Sequence, residues 1–178
     1  THDRDANGRL YPDPQRFPHG IKYLADYAHS KGVKLGIYND YGKHTCGGYT
    51  GSEGYLLDDA RTFAEWEVDY LKMDGCYSEL LDQHDAHPAM ARFLNETGRK
   101  IVYSCSWPAY DLDMDYAPLP PNCNLWRNWD DIECNWRSIK SIMDKFGNNT
   151  KWAEYAGPGH WNDADMIVAG LKGGTLTE

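Results

Sequence analysis

Helical and extended hydrophobic patterns take turns along this chain. After a polar, Pro- and Gly-rich opening over residues 1–20, Ile21, Leu24, Ala25 and Ala28 recur at helical spacing, and Gly32 closes the run. Val33 to Tyr38 reads as a buried strand, and a Gly-rich loop containing Cys46 runs from Gly42 to Gly54. Ala60, Phe63 and Ala64 mark a second helix, and Tyr70 to Met73 a second strand that ends at Asp74-Gly75-Cys76. Met90, Phe93 and Leu94 lie on a third helix that stops near Gly98, before a strand over Ile101 to Ser106. A Pro-rich loop, Asp111 to Asn122, leads to a short strand, Leu125 to Trp129. Trp136, Ile139, Met143 and Phe146 then form a fourth helical stripe, and a last short segment leads to Trp161-Asn162-Asp163. The repeat, roughly thirty residues long, implies βα units, right-handed crossovers and a parallel sheet. No glycine-rich phosphate loop follows any strand, which argues against a dinucleotide or P-loop fold.

The strands share a second property: they end in polar or acidic residues. The endings are Tyr38-Asn39-Asp40, Met73-Asp74, Trp129-Asp130-Asp131 and Asn162-Asp163-Ala164-Asp165. In a (β/α)8 barrel the chemistry sits at the C-terminal strand ends. About five strands are visible, so the fold expected is a piece of such a barrel. Asp74 and Asp131 then stand at two strand mouths. A pair of carboxylates there is what glycoside hydrolysis needs, one to attack the anomeric carbon and one to protonate the leaving oxygen. Each has a bland alternative, as a strand-end turn residue or as the N-cap of the following helix. Lys72 precedes Asp74 by two residues and so projects to the same side of the strand. It would either bind sugar hydroxyls or form an ion pair with Asp40. Arg127 could clamp a hydroxyl or orient a carboxylate. Trp129 and Trp161 could stack on a sugar or fill the core, and His160 reads as structural.

Composition bounds the partners. The net charge of −9 argues against nucleic acid or an anionic membrane, and no apolar run approaches a membrane span. Aromatics make up 13% of the chain, which suits stacking on sugars and equally suits a well-filled core. The histidines show no HExxH grouping and the five cysteines no close CxxC pair, so neither a metal nor another cofactor is expected. Two sequons, at Asn95 and Asn148, together with the cysteines lean toward a disulfide-bonded protein of the secretory route.

Several stretches taken together, FPHGIKYLADYAHSKGVKLGIY, TFAEWEVDYLKMDGCY, YSCSWPAY, NLWRNWDDI and AGPGHWNDADM, resemble glycoside hydrolase family 27 in the same order. This family comprises α-galactosidases and α-N-acetylgalactosaminidases. The resemblance implies a retaining double displacement in a (β/α)8 barrel, with residues 1–178 covering about strands 3 to 7 and the family's C-terminal β domain absent. It makes Asp74 the nucleophile and Asp131 the general acid/base. It places Tyr38, Lys72, Tyr110, Arg127 and Asp165 around the sugar, and pairs Cys46 with Cys76 and Cys105 with Cys123, leaving Cys134 without a family partner. Galactosidases resemble C-E-W-P-L-Y where this chain has Cys105-Ser106-Trp107-Pro108-Ala109-Tyr110. The small Ser106 and Ala109 resemble the N-acetylgalactosaminidases and leave room for an acetamido group. The expected substrate is therefore a glycoconjugate with terminal α-linked N-acetylgalactosamine, with galactose also accepted; the alternatives are an α-galactosidase with a relaxed pocket for the 2-substituent and a non-catalytic sugar-binding fragment. The expected location is the lysosome or outside the cell, and a homodimer of the complete protein is left open. The family's W-N-D-P-D-M stands here as Trp161-Asn162-Asp163-Ala164-Asp165-Met166, and Ala169 to Glu178 departs from its pattern.

Overall fold

A computed structural model of the chain describes residues 1–166. Its elements are α1 (Gly20–Ser30), β1 (Gly36–Asp40), α2 (Leu56–Glu65), β2 (Tyr70–Asp74), α3 (Leu80–Glu96), β3 (Val102–Cys105), α4 (Trp107–Tyr110), α5 (Leu119–Asn122), β4 (Leu125–Arg127), α6 (Trp136–Asn148), a 3-10 turn (Thr150–Glu154) and β5 (Trp161–Asp163). All five strands join one sheet in the order β1-β2-β3-β4-β5, and every pairing is parallel. Sequential parallel strands linked through helices are the signature of a (β/α)8 barrel, here represented by five strands. The part of the tail beyond Met166 lies outside the described residues.

The pleat sorts side chains by alternation. Leu71, Met73, Tyr103, Cys105 and Trp126 point toward the helices and join Phe63, Met90, Leu94 and Leu119 in one buried cluster. The alternate positions face the barrel interior. The register there runs Tyr38 beside Lys72 beside Ser104, and Asp40 beside Asp74. The order of strands and their polar ends therefore bring Tyr38, Lys72, Asp40 and Asp74 to one side of the sheet.

Four elements differ from the sequence reading. The first strand begins at Gly36, not Val33. The Val33 amide instead donates to the Ala28 carbonyl at 3.0 Å, while that of Gly32 reaches His29 at 2.9 Å. With Gly32 at φ 71°, this is a Schellman cap that holds Val33 outside the sheet. The stretch Trp107–Tyr110, given no element between the strand ending at Ser106 and the Pro-rich loop, forms the short helix α4, and that loop contains α5. On α6 the residue buried is Ile142, while Trp136 and Met143 of the expected apolar stripe are each 59% exposed. Asn135 caps α6 by accepting from the Ser138 amide at 2.9 Å, so Asp131 is not its N-cap.

One polar relay fixes the segment that flanks the site. Arg4 grips Asp59 with both terminal nitrogens, at 2.6 and 2.8 Å, and also donates to the Gly51 carbonyl. Ser52 donates to the same fully buried carboxylate at 2.7 Å, and Asn39 donates to Ser52 at 2.7 Å. The opening loop, α2, the Gly-rich loop and β1 are thus tied through one buried charge pair. Breaking such a pair from one side leaves the other charge uncompensated. Asp59→Asn in the complete protein is expected to cost about 3 kcal/mol of stability, read by urea unfolding. A loss below about 1 kcal/mol would show the relay to be dispensable.

Candidate active site

Asp74 ends β2, and its carboxylate is held from two sides. The Tyr38 hydroxyl donates to Oδ2 at 2.9 Å and the Tyr110 hydroxyl donates to Oδ1 at 2.9 Å, with the Gly75 amide also on Oδ1 at 3.1 Å. Tyr38 comes from β1 and Tyr110 from α4, so three elements converge on one carboxylate. Burial first, and then the Asp74 charge, push both phenols well above their ordinary range and keep them as donors.

The Cys46–Cys76 disulfide lies against this cluster. Cys46 Sγ is 3.2 Å from the Tyr38 hydroxyl and 3.5 Å from Asp74 Oδ2, and Cys76 Sγ is 3.3 Å from the Tyr110 hydroxyl. The bridge fastens the Gly-rich loop to the turn that follows Asp74. Close approach needs glycine there: a Cβ on Gly42 would lie 1.9 Å from the Cys76 carbonyl oxygen, and one on Gly51 would lie 1.9 Å from that of Gly42. The second disulfide, Cys105–Cys123, anchors the end of β3 just before Ser106. Cys134 is in neither bridge.

Behind Asp74 sits Asp40, which is fully buried. It accepts from the Gly42 amide at 2.9 Å and the Cys76 amide at 3.1 Å. Burial chiefly, with the Asp74 charge added, raises its pKa to about 7 against the pull of those two amides. Lys72 lies over the Tyr38 ring, 6.0 Å from its centroid, rather than in an ion pair with Asp40. In the sequence Asp40 stood out only as a strand-end acid and a partner for Lys72. Its burial beneath Asp74 depends on the β1–β2 register, which the sequence alone does not reveal.

A second cluster forms where β4 and β5 end. Arg127, only 4% exposed in its side chain, binds Asp131 at 2.9 Å and Asp165 at 3.1 Å. Asp165 also accepts from the Ile132 amide at 2.9 Å, which ties the two strand ends together. The Asp131 side chain is 91% exposed. Trp161 is 54% exposed, whereas Lys145 covers the Trp129 ring at 3.7 Å. His160 stacks on Trp126 with centroids 6.4 Å apart, a packing role. Ser106 precedes α4 and Ala109 lies within it, three residues on. The Ser106 hydroxyl is buried with no hydrogen-bond partner among the described residues. Asn95 and Asn148 are both exposed, near the C-terminal ends of α3 and α6. Asp40, Cys46 and Cys76 lie close enough to share an ion, but both sulfurs are spent in a disulfide; Asp26, His29 and Glu67 group on the outer surface.

A family profile described as Alpha galactosidase A matches residues 1–177. The alpha-N-acetylgalactosaminidase of Gallus gallus is 57% identical over 176 residues, which cover 96% of this chain and 44% of that relative. Human alpha-galactosidase A is 54% identical over 175 residues, covering 96% of this chain and 41% of that relative. Among solved structures, alpha-galactosidase I from Mortierella vinacea is 34% identical and superposes with a TM-score of 0.86, over 97% of this chain and 49% of that one. The chain therefore spans less than half the length of the curated relatives it matches. The five described strands correspond to part of the (β/α)8 barrel of these neighbours.

Asp40 gives the folded state an unusual pH dependence. Its folded pKa of about 7 lies above the ordinary 3.8, so the native state keeps a proton that the unfolded chain has released. The contribution of this group is favourable at acidic pH and is lost as pH rises through roughly 4 to 7. Asp40→Asn is expected to flatten the stability curve of the complete protein over that range, read from thermal midpoints. An unchanged slope would mean that Asp40 is ionised throughout.

Proposed function

The chain belongs to the alpha galactosidase A family, glycoside hydrolase family 27, and from that membership we propose that it forms the nucleophile-bearing part of a retaining exo-α-glycosidase that hydrolyses terminal α-linked N-acetylgalactosamine and also accepts galactose. In this reading Asp74 attacks the anomeric carbon and forms a covalent glycosyl ester, while Asp131 protonates the departing glycosidic oxygen. Asp131 then takes a proton from the water that cleaves the ester, and the configuration is retained. The Tyr38 and Tyr110 phenols fix the attacking carboxylate, each on a different oxygen. Held in that way, the nucleophile need not reorganise as the bond forms. Arg127 orients Asp131 and Asp165, and Lys72, Asp165 and Tyr110 contact the sugar.

The preference for the acetamido sugar rests on one observation. Ser106 and Ala109 are spaced i, i+3 around α4, beside Tyr110, and the buried Ser106 hydroxyl has no partner among the described residues. A buried donor left unmade is costly, and an amide oxygen would satisfy it. Glu and Leu at the same two positions would fill the space and leave a carboxylate against the acetyl group. The 54% identity to human alpha-galactosidase A favours a second reading, a galactosidase whose pocket merely tolerates the larger sugar.

The rest of the protein follows from the same reading. Residues 1–178 supply about strands 3 to 7, and the complete protein adds the remaining strands and a C-terminal β domain. An apolar cavity of about 430 Å³ along the free edge of β1, bounded by Leu10, Phe17, Ile37, Phe63 and Trp66, supports continuation of the barrel there. The two disulfides and the exposed sequons at Asn95 and Asn148 support a glycosylated lysosomal or secreted enzyme. No described helix is long and apolar enough to cross a membrane.

Asp74→Asn in the complete protein is expected to lower kcat by about a thousandfold or more with the fold intact by circular dichroism. Ordinary turnover by that variant would remove Asp74 from the nucleophile role. Ser106→Glu combined with Ala109→Leu is expected to move the ratio of kcat/KM values toward the α-galactoside by about tenfold or more. A ratio that stays put favours the relaxed galactosidase.

A further inference from the structure

We propose that His84 is a positioning residue for the acetamido wall of the pocket, acting through Asp111 as a clamp on α4. The proposal rests on the glycosidase reading of the site. Its starting point is the size of α4: four residues cannot hold a helix by themselves, so external contacts must set where Ala109 and Tyr110 stand. Two histidines from successive turns of α3 supply them. His87 stacks flat on Trp107, the first residue of α4, with centroids 5.6 Å apart and planes within 8°. His84 meets the same indole edge-on at 5.1 Å and 88°.

His84 also spans to the other end of the helix. Its Nε2 lies 2.9 Å from Asp111 Oδ2. Asp111 directly follows Tyr110, and its amide donates to the Trp107 carbonyl at 3.3 Å. One imidazole therefore touches the residue that opens α4 and binds the residue that closes it. Between those points lie Ala109, which borders the proposed acetamido space, and Tyr110, which holds Asp74. A shift at Asp111 passes to both.

The groups that face this imidazole are Asp111 after α4, the Trp107 ring, and His87 on its own helix. His87 is fully buried and held neutral, with its pKa lowered to about 3 by burial, so it does not share in titration near neutrality. His84 is 41% exposed in its side chain. An exposed pair carries a small energy, so the expected effect is about threefold rather than a switch between on and off.

The test uses the complete enzyme and its His84→Ala, His84→Gln and Asp111→Asn variants, with aryl α-N-acetylgalactosaminide and α-galactoside at one acidic pH. His84→Ala and Asp111→Asn should each lower the ratio of kcat/KM values, acetamido sugar over galactoside, about threefold, because an effect through Tyr110 on the nucleophile is common to both sugars and cancels. His84→Gln, which can still donate to Asp111, should keep most of the wild-type ratio. A His84→Ala enzyme whose ratio stays at the wild-type value overturns the proposal. A double-mutant cycle between positions 84 and 111, read by unfolding, separates this claim from the glycosidase reading. Coupling between the two positions supports the clamp even if neither sugar is turned over, and absent coupling overturns it.

Discussion

Two phenol hydroxyls aimed at the two oxygens of one carboxylate govern this structure. Tyr38 and Tyr110 reach Asp74 from different elements, each at 2.9 Å. For both to arrive, β1 must pair with β2 so that Tyr38 stands beside Lys72 and Asp40 beside Asp74. The helix α4 must also turn back over the sheet mouth directly after β3. The remaining devices serve these two demands. The Cys46–Cys76 bridge pins the Gly-rich loop beside the phenols, and the Arg4–Asp59 relay pins that loop to α2. The Cys105–Cys123 bridge and the two histidines of α3 position α4.

The site concentrates charge that the fold must tolerate. Asp40 and Asp74 occupy matched positions on adjacent strands, and like charges so placed disfavour each other. The deeper of the two takes up a proton near neutrality, while the outer one is held by hydroxyl donors. The second acidic group solves the same problem differently. Asp131 and Asp165 share the buried guanidinium of Arg127, so two carboxylates stand at one strand mouth with a single cation between them.

How much of this was readable from the chain depends on the range of the interaction. The alternation of periods marked every strand and the longer helices, because burial on one face is written locally in residue spacing. The acids at the strand ends were visible for the same reason. The start of β1 was misplaced because the Val33 amide was committed to closing α1, a bond between residues five apart that hydrophobicity does not record. The face of α6 was misjudged because Ile142, off the expected stripe, is the residue its neighbours bury. The short α4 was hidden by Pro108 and by aromatic residues that read equally well as strand. The importance of Asp40, and the link from His84 to Asp111 across 27 residues, exist only once β1 lies on β2 and α3 lies on α4. A polar residue's partner is a tertiary fact, and sequence spacing carries it only when a known family pattern stands in for it.

The central claim is that small residues at Ser106 and Ala109, beside a phenol-gripped Asp74, make a glycosidase for the acetamido sugar. The most direct measurement is kcat/KM of the complete wild-type protein on a matched pair of aryl α-N-acetylgalactosaminide and aryl α-galactoside at acidic pH. The account predicts a preference for the acetamido sugar of about tenfold or more, since the Ser106 hydroxyl, without a hydrogen-bond partner among the described residues, would bond the amide oxygen of that sugar. Equal rates, or a preference for the galactoside, would contradict it and mean that the small pair Ser106 and Ala109 only permits the acetyl group.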